Sequence, residues 1–104
     1  MNKYRNQKTP LYGIPFDSKK EAWRYAELLD KYNRGEISDL RLQVPFELIP
    51  KQKGERTVVY IADFVYVMDG KTVVEDVKGC KTKDYVIKRK LFKLRYPEFV
   101  FCEV

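Results

Sequence analysis

The apolar residues of this chain recur with two periods, and the switches between them outline the elements. Residues 1–16 carry no sustained period. They are polar and basic, and Pro10, Gly13 and Pro15 break any helix there. This stretch reads as a basic N-terminal arm that packs only at its end, through Leu11, Tyr12, Ile14 and Phe16. Ser18-Lys19-Lys20-Glu21 then has the capping-box pattern, and Tyr25, Leu28, Leu29 and Tyr32 follow at helical spacing until Asn33-Arg34-Gly35 stops the helix. Leu40 to Val44 alternates as a strand. Pro45 interrupts it, which predicts an edge position or a bend, and Phe46 to Ile49 can continue it. Residues 50–56 (PKQKGER) form a basic turn. Thr57 to Met68 is dense in β-branched and aromatic residues, Asp69-Gly70 is a tight hairpin turn, and Lys71 to Lys78 returns as the partner strand. A second helix is predicted from Thr82 to Tyr96, where Tyr85, Ile87 or Lys88, Leu91, Phe92 and Arg95 keep the 3.6 period. Pro97 ends it, and Phe99 to Cys102 gives a last short strand.

The resulting order is α-β-β-β-α-β, an α/β domain over 17–104 behind the arm at 1–16. At 104 residues the chain suits a single core. The apolar share of 44% and the aromatic share of 14% rule out a disordered composition. Lysine and arginine total 21 against 15 acids, a net charge of +6 that favours a polyanionic partner, nucleic acid before an acidic membrane. No apolar run approaches the ~20 residues of a spanning helix, and the first residues lack a leader's apolar stretch, so a cytoplasmic location is expected. Cys80 and Cys102 are expected to be reduced thiols. The absence of histidine excludes histidine triads, histidine general bases and most zinc sites.

Asp63 lies in the middle of the most apolar strand, where an unpaired carboxylate costs several kcal/mol. Across the hairpin, Glu75 and Asp76 interrupt a second apolar strand. Residues two apart share a face, so Asp76 and Lys78 point together and Glu75 points away. Asp76 should lie a little beyond the position opposite Asp63. At the ~5 Å spacing of strands the two carboxylates can share a cation, and all-oxygen ligands suit Mg²⁺ or Mn²⁺.

Asp63 followed by Asp76-Val77-Lys78 resembles the D…(D/E)-x-K signature of the PD-(D/E)XK nuclease superfamily. The segments FDSKKEAWRYAEL, ISDLRLQVPFELIP, YIADFVY, VVEDVKG and YVIKRKLFKLRYP are similar to a family of small phage- and prophage-encoded proteins, largely uncharacterised, assigned to that superfamily. The resemblance implies a restriction-endonuclease-like core, with a mixed central sheet flanked by helices. It implies metal ligation by Asp63 and Asp76, and a role for Lys78 in positioning water and stabilising charge at phosphorus. Glu21 matches the family's helix-borne acid, a third ligand by resemblance, although its place in the capping box would by itself account for it. Ala62 stands where the superfamily often has proline. The implied activity is Mg²⁺-dependent hydrolysis of DNA phosphodiester bonds in phage recombination, replication or repair, with branched or junction DNA as a candidate substrate.

Gln43, in the strand before the site, is a weaker candidate. Glu75 is a candidate substitute ligand. Lys81, Lys83, Tyr85 and Lys88, at the start of the second helix, are candidate phosphate contacts, although a charge run on a helix is more often a solvated face. Trp23 reads as a packing or interface residue. Two readings compete with an enzyme: a non-catalytic nucleic-acid-binding module, and a protein that docks on replication or packaging machinery through Tyr4, Tyr12, Trp23 and Tyr32. A homodimer fits the small size, because symmetric cutting of two strands needs one.

Overall fold

Whether Pro45 ends a strand or is merely tolerated in one decides how far the sheet extends toward the site. In a computed structural model, which describes residues 9–11, 13–77 and 81–104 with side chains from residue 13 onward, the strand runs through it. The elements are β1 (Thr9–Leu11), β2 (Ile14–Phe16), α1 (Lys19–Asn33), β3 (Ser38–Ile49), β4 (Val58–Met68), β5 (Lys71–Asp76), α2 (Lys83–Arg95) and β6 (Val100–Glu103). β3 to β6 form a four-stranded sheet in the order β3-β4-β5-β6, antiparallel except for the parallel β5–β6 pair. Pro45 is accepted because β3 is an edge strand, where one side of the backbone has no ladder to feed.

The expected core order is present, preceded by a small hairpin. The end of the predicted arm folds as β1 and β2 around Gly13, whose φ of 79° suits glycine. Phe16 is buried, its ring tilted against those of Tyr25 and Phe64. Residues 1–8 and Tyr12 lie outside the described residues. In the β4–β5 hairpin, Asp69 and Gly70 both take positive φ, 52° and 77°, as a two-residue turn of matching twist requires.

α1 covers one side of the sheet. Ala22 and Leu28 bury there with Ile37, Phe64, Tyr66 and Val73. α2 makes the parallel crossover and covers the other, where Tyr85 and Phe92 meet Leu48, Tyr60, Ala62, Val65 and Val74. Of the alternatives Ile87 and Lys88, the helix turns Lys88 partly inward and leaves Ile87 57% exposed. Trp23, read as a packing or interface residue, is 68% exposed, and Tyr32, placed on the apolar stripe of the helix, is exposed too.

The paired strands β3 and β4 both change sides at one level. Leu40 and Leu42 pack toward α1 but Val44, Phe46 and Leu48 toward α2. Likewise Tyr60 and Ala62 face α2, whereas Phe64 and Tyr66 face α1. The switch falls at Gln43 and Asp63, which are opposite each other if the register of Leu42↔Phe64 and Val44↔Ala62 is continued. Gln43 takes φ 53°, the left-handed region that a residue with a side chain adopts only at a cost.

Candidate metal and phosphate site

Asp63 sits at that break and is half-buried. Beyond Phe64↔Glu75 the ladder between β4 and β5 stops, although the same register would put Asp76 opposite Asp63. The carboxylate of Asp63 takes over from the missing backbone acceptor. Its Oδ2 accepts the Val77 amide at 2.8 Å, and its Oδ1 accepts from Gln43 Nε2 at 3.3 Å. Gln43 is therefore in contact with the site.

Asp76 ends β5 and is 2% exposed. Its Oδ1 accepts from the Tyr60 hydroxyl at 2.6 Å. Burial first, then this carboxylate, push the Tyr60 hydroxyl well above the usual phenol range, so it stays a donor. Asp63 and Asp76 line one cleft of about 330 Å³ with Val59, Tyr60, Ile61, Thr82, Asp84, Tyr85 and Lys88. The cleft follows the half of β4 that β5 does not reach. Among the described candidate cations, Lys88 is the one that lines it.

Glu21 is 7% exposed in the first turn of α1. The cap it belongs to is real: Ser18 Oγ accepts the Glu21 amide at 3.1 Å, and Glu21 Oε1 accepts the Asp17 amide at 3.3 Å. The same carboxyl also lies beside Asp63, so the capping acid reaches the candidate site. Burial, and then the contact with Asp63, push Glu21 up to about 7. Glu21 and Gln43 line a second hollow, of about 260 Å³, with Ile14, Phe16 and Leu42. Among the described residues no three acids or thiols converge on one point. The expected three-acid cage is thus two overlapping pairs: Glu21 touches Asp63, and Asp63 shares a cleft with Asp76. The acids are divided because α1 and the cleft lie on opposite sides of the strand break.

This donor set fits a hard divalent cation. Its groups are all oxygen, and two carboxylates in contact need a proton or a cation between them. Lys78 and Cys80 lie outside the described residues, so the D-x-K lysine has no described geometry.

Glu75 does not belong to the site. It faces α1, 1% exposed, where Arg24 grips both its oxygens at 2.8 and 2.6 Å and the Tyr66 hydroxyl adds a further hydrogen bond. A carboxylate held this way has its charge matched already, which removes Glu75 as a substitute ligand. The predicted phosphate contacts also divide. Thr82 caps α2 by accepting the Tyr85 amide. Tyr85 donates to Glu103 at the end of β6, and Lys81 and Arg89 pair with the same carboxylate at 3.1 and 3.3 Å. Tyr85, more than these cations, holds Glu103 down to about 2. Lys81 and Tyr85 are thus engaged within the fold. Lys83 flanks the helix start, in a hollow with Val86 and Ile87.

Tyr60 and Glu103 are absent from the expected site. A buried tyrosine needs a partner for its hydroxyl and a buried carboxylate needs a donor, so Tyr60 on the strand of Asp63 was discoverable in principle. Nothing local marks Glu103.

No helix is long and apolar enough to cross a membrane among the described residues. No curated protein and no solved structure matches the chain. One family spans nearly all of it, matching residues 1–102: the chain belongs to the family described as "Protein of unknown function (DUF1064)".

Proposed function

We propose that the chain is a divalent-metal-dependent DNA endonuclease with a restriction-endonuclease-like core, active in the cytoplasm. The observation that carries the proposal is the position of Asp63, in contact with Glu21 on one side and sharing a cleft with Asp76 and Lys88 on the other. Each carboxylate closes local hydrogen bonds, but those bonds do not call for two like charges side by side. A phosphodiesterase gains a cation site beside a phosphate site.

Asp63 and Asp76 would hold Mg²⁺, or Mn²⁺ as its substitute, with Glu21 supporting Asp63 from α1. The ion would supply Lewis-acid activation of water and offset charge on the phosphate oxygens. Gln43 and the Val77 amide fix the Asp63 carboxylate, and Tyr60 fixes that of Asp76. Lys88 would bind a phosphate oxygen in the cleft, and Lys78, by resemblance, would stabilise charge at phosphorus. Phage DNA recombination, replication or repair is the setting that the resemblance suggests, and symmetric cutting of two strands would require a homodimer.

Plasmid, single-stranded and junction DNA incubated with the purified protein and Mg²⁺ or Mn²⁺ test the reading. Cleavage that chelation abolishes and that Asp63→Asn or Asp76→Asn removes is the expected result. No cleavage of any of the three substrates, or cleavage undiminished by both replacements, overturns it.

A further inference from the structure

The β3–β4 hairpin is longer than the sheet that supports it. β5 pairs with β4 only from Phe64 to Met68, so Val58 to Asp63 continue as a two-stranded ribbon with β3. α2 covers one side of this ribbon and holds it firmly. Phe46, Leu48 and Tyr60 pack there, while Arg95 donates to the Leu48 carbonyl and Tyr96 to the Glu47 carbonyl. Thr57 ties the far end to the Ile49 carbonyl.

Among the described residues no helix or strand covers the other side. It carries Pro45 opposite Ile61 and Glu47 opposite Val59, next to Gln43 and Asp63. Ile61 is 54% exposed in mid-strand, and it and Val59 line the cleft that holds Asp63 and Asp76. At the tip, Lys51, Lys53 and Arg56 stand exposed around Gly54, and among the described residues no ion pair engages them. Glu55 offsets one of the three charges. From Val58 to Asp63 the ribbon spans ~17 Å, or ~5 steps of a nucleic-acid strand, before the basic turn is reached.

We propose that the side facing away from α2 and the tip of this ribbon are a DNA contact surface, with Lys51, Lys53 and Arg56 gripping phosphates several steps from the cleft and Ile61 and Pro45 resting against a step whose bases are unstacked. The inference rests on the nuclease reading for its placement and names the substrate class: DNA with a junction or other opened step beside the cut. Tip cations read no sequence and bind any duplex alike. An apolar side chain favours a step already opened, because unstacking an intact one costs a few kcal/mol.

Fluorescence anisotropy with a labelled duplex and a labelled four-way junction, both in EDTA, tests this on the full chain. The triple replacement Lys51→Ala, Lys53→Ala and Arg56→Ala should weaken both DNAs alike, tenfold or more at low salt. It should also flatten the salt dependence of log K by roughly 2 to 3, since each lost phosphate contact removes ~0.9. Ile61→Ala should weaken the junction at least threefold more than the duplex. Lys71→Ala, at the opposite hairpin, should change neither. Wild-type affinity and salt dependence in the triple variant overturn the proposal, and so does an Ile61→Ala variant that keeps its junction preference. Binding in EDTA is read without cleavage. A chain that binds as described but never cuts therefore upholds the surface and sinks the nuclease reading, and a chain that cuts while both variants bind as wild type does the reverse.

Discussion

Glu75 and Asp76 are neighbours in β5 and equally buried, yet the fold treats their charges in opposite ways. Glu75 faces α1 and meets a two-pronged guanidinium and a phenol. Asp76 faces the cleft, takes one phenol, and shares its space with Asp63. The first environment matches a negative charge with a positive one. The second brings two carboxylates and the Lys88 side chain to one open cleft. Burial alone marks both residues as unusual, and the company each keeps, a closed ion pair or an open cleft, separates a structural carboxylate from a candidate ligand.

The largest effects should divide along that line. Arg24→Ala strands the Glu75 charge in the interior and should cost about 3–5 kcal/mol in urea unfolding, since removing one partner leaves the other uncompensated. Asp63→Asn and Asp76→Asn should lower cleavage on the order of a thousandfold, roughly 4 kcal/mol of barrier, with little loss of stability. Asp63→Asn should even raise the melting temperature, because it relieves the contact with Glu21. If Asp63→Asn unfolds the chain instead, the break in the sheet needs that carboxylate for structure and the division fails.

A smaller effect, on the order of 2 kcal/mol, concerns acidity. Glu21 is raised from 4.5 to about 7, so between those values the folded chain binds more protons than the unfolded one. Stability contributed by this group is therefore present below 4.5 and lost as pH rises through 7. Glu103 is lowered to about 2 by Tyr85, so its contribution has the opposite sign, present above 4.5 and lost as pH falls toward 2. Thermal unfolding of the metal-free protein should show stability declining from pH 4.5 to 7, and Glu21→Gln should flatten that decline. A decline left unchanged by Glu21→Gln would mean that another group is responsible.

Strands, helices and the capping box were legible because local pattern sets them. Pro45 pointed to an edge strand, Asp69-Gly70 to a turn with two positive φ values, and Ser18 to an N-cap. The opposed directions of Glu75 and Asp76 followed from strand alternation. What alternation hid was the break at Gln43 and Asp63, which needs a left-handed glutamine that no pattern announces. That break moves Glu21 into a separate hollow and turns an expected cage into two pairs. The hairpin at 9–16 was missed because three-residue strands carry too little periodicity to read. Arg24 and Glu103 were missed because each acts across a long sequence separation, where register and helix rotation decide who meets whom.

The smallest predicted effect tests the comparison at its narrowest point. Tyr60 and Tyr66 are both buried phenols donating to β5 carboxylates, one on each side of the sheet. Tyr66→Phe leaves Glu75 with Arg24 still bound to both oxygens, so it should cost about 1 kcal/mol in stability and nothing in activity per folded molecule. Tyr60→Phe removes the donor that sets the direction of Asp76, and should cost about 1.5 kcal/mol. Groups that orient a ligand typically change metal affinity ~10–100-fold, so Tyr60→Phe should also raise the Mg²⁺ concentration for half-maximal cleavage at least tenfold. Mn²⁺ binding followed by electron paramagnetic resonance reads the same shift without turnover. In an Asp76→Asn background Tyr60→Phe should add nothing, because its effect passes through that carboxylate. Equal metal responses from the two phenylalanine variants would show that both tyrosines merely fill the core, and the cleft side would then lose its claim to be different.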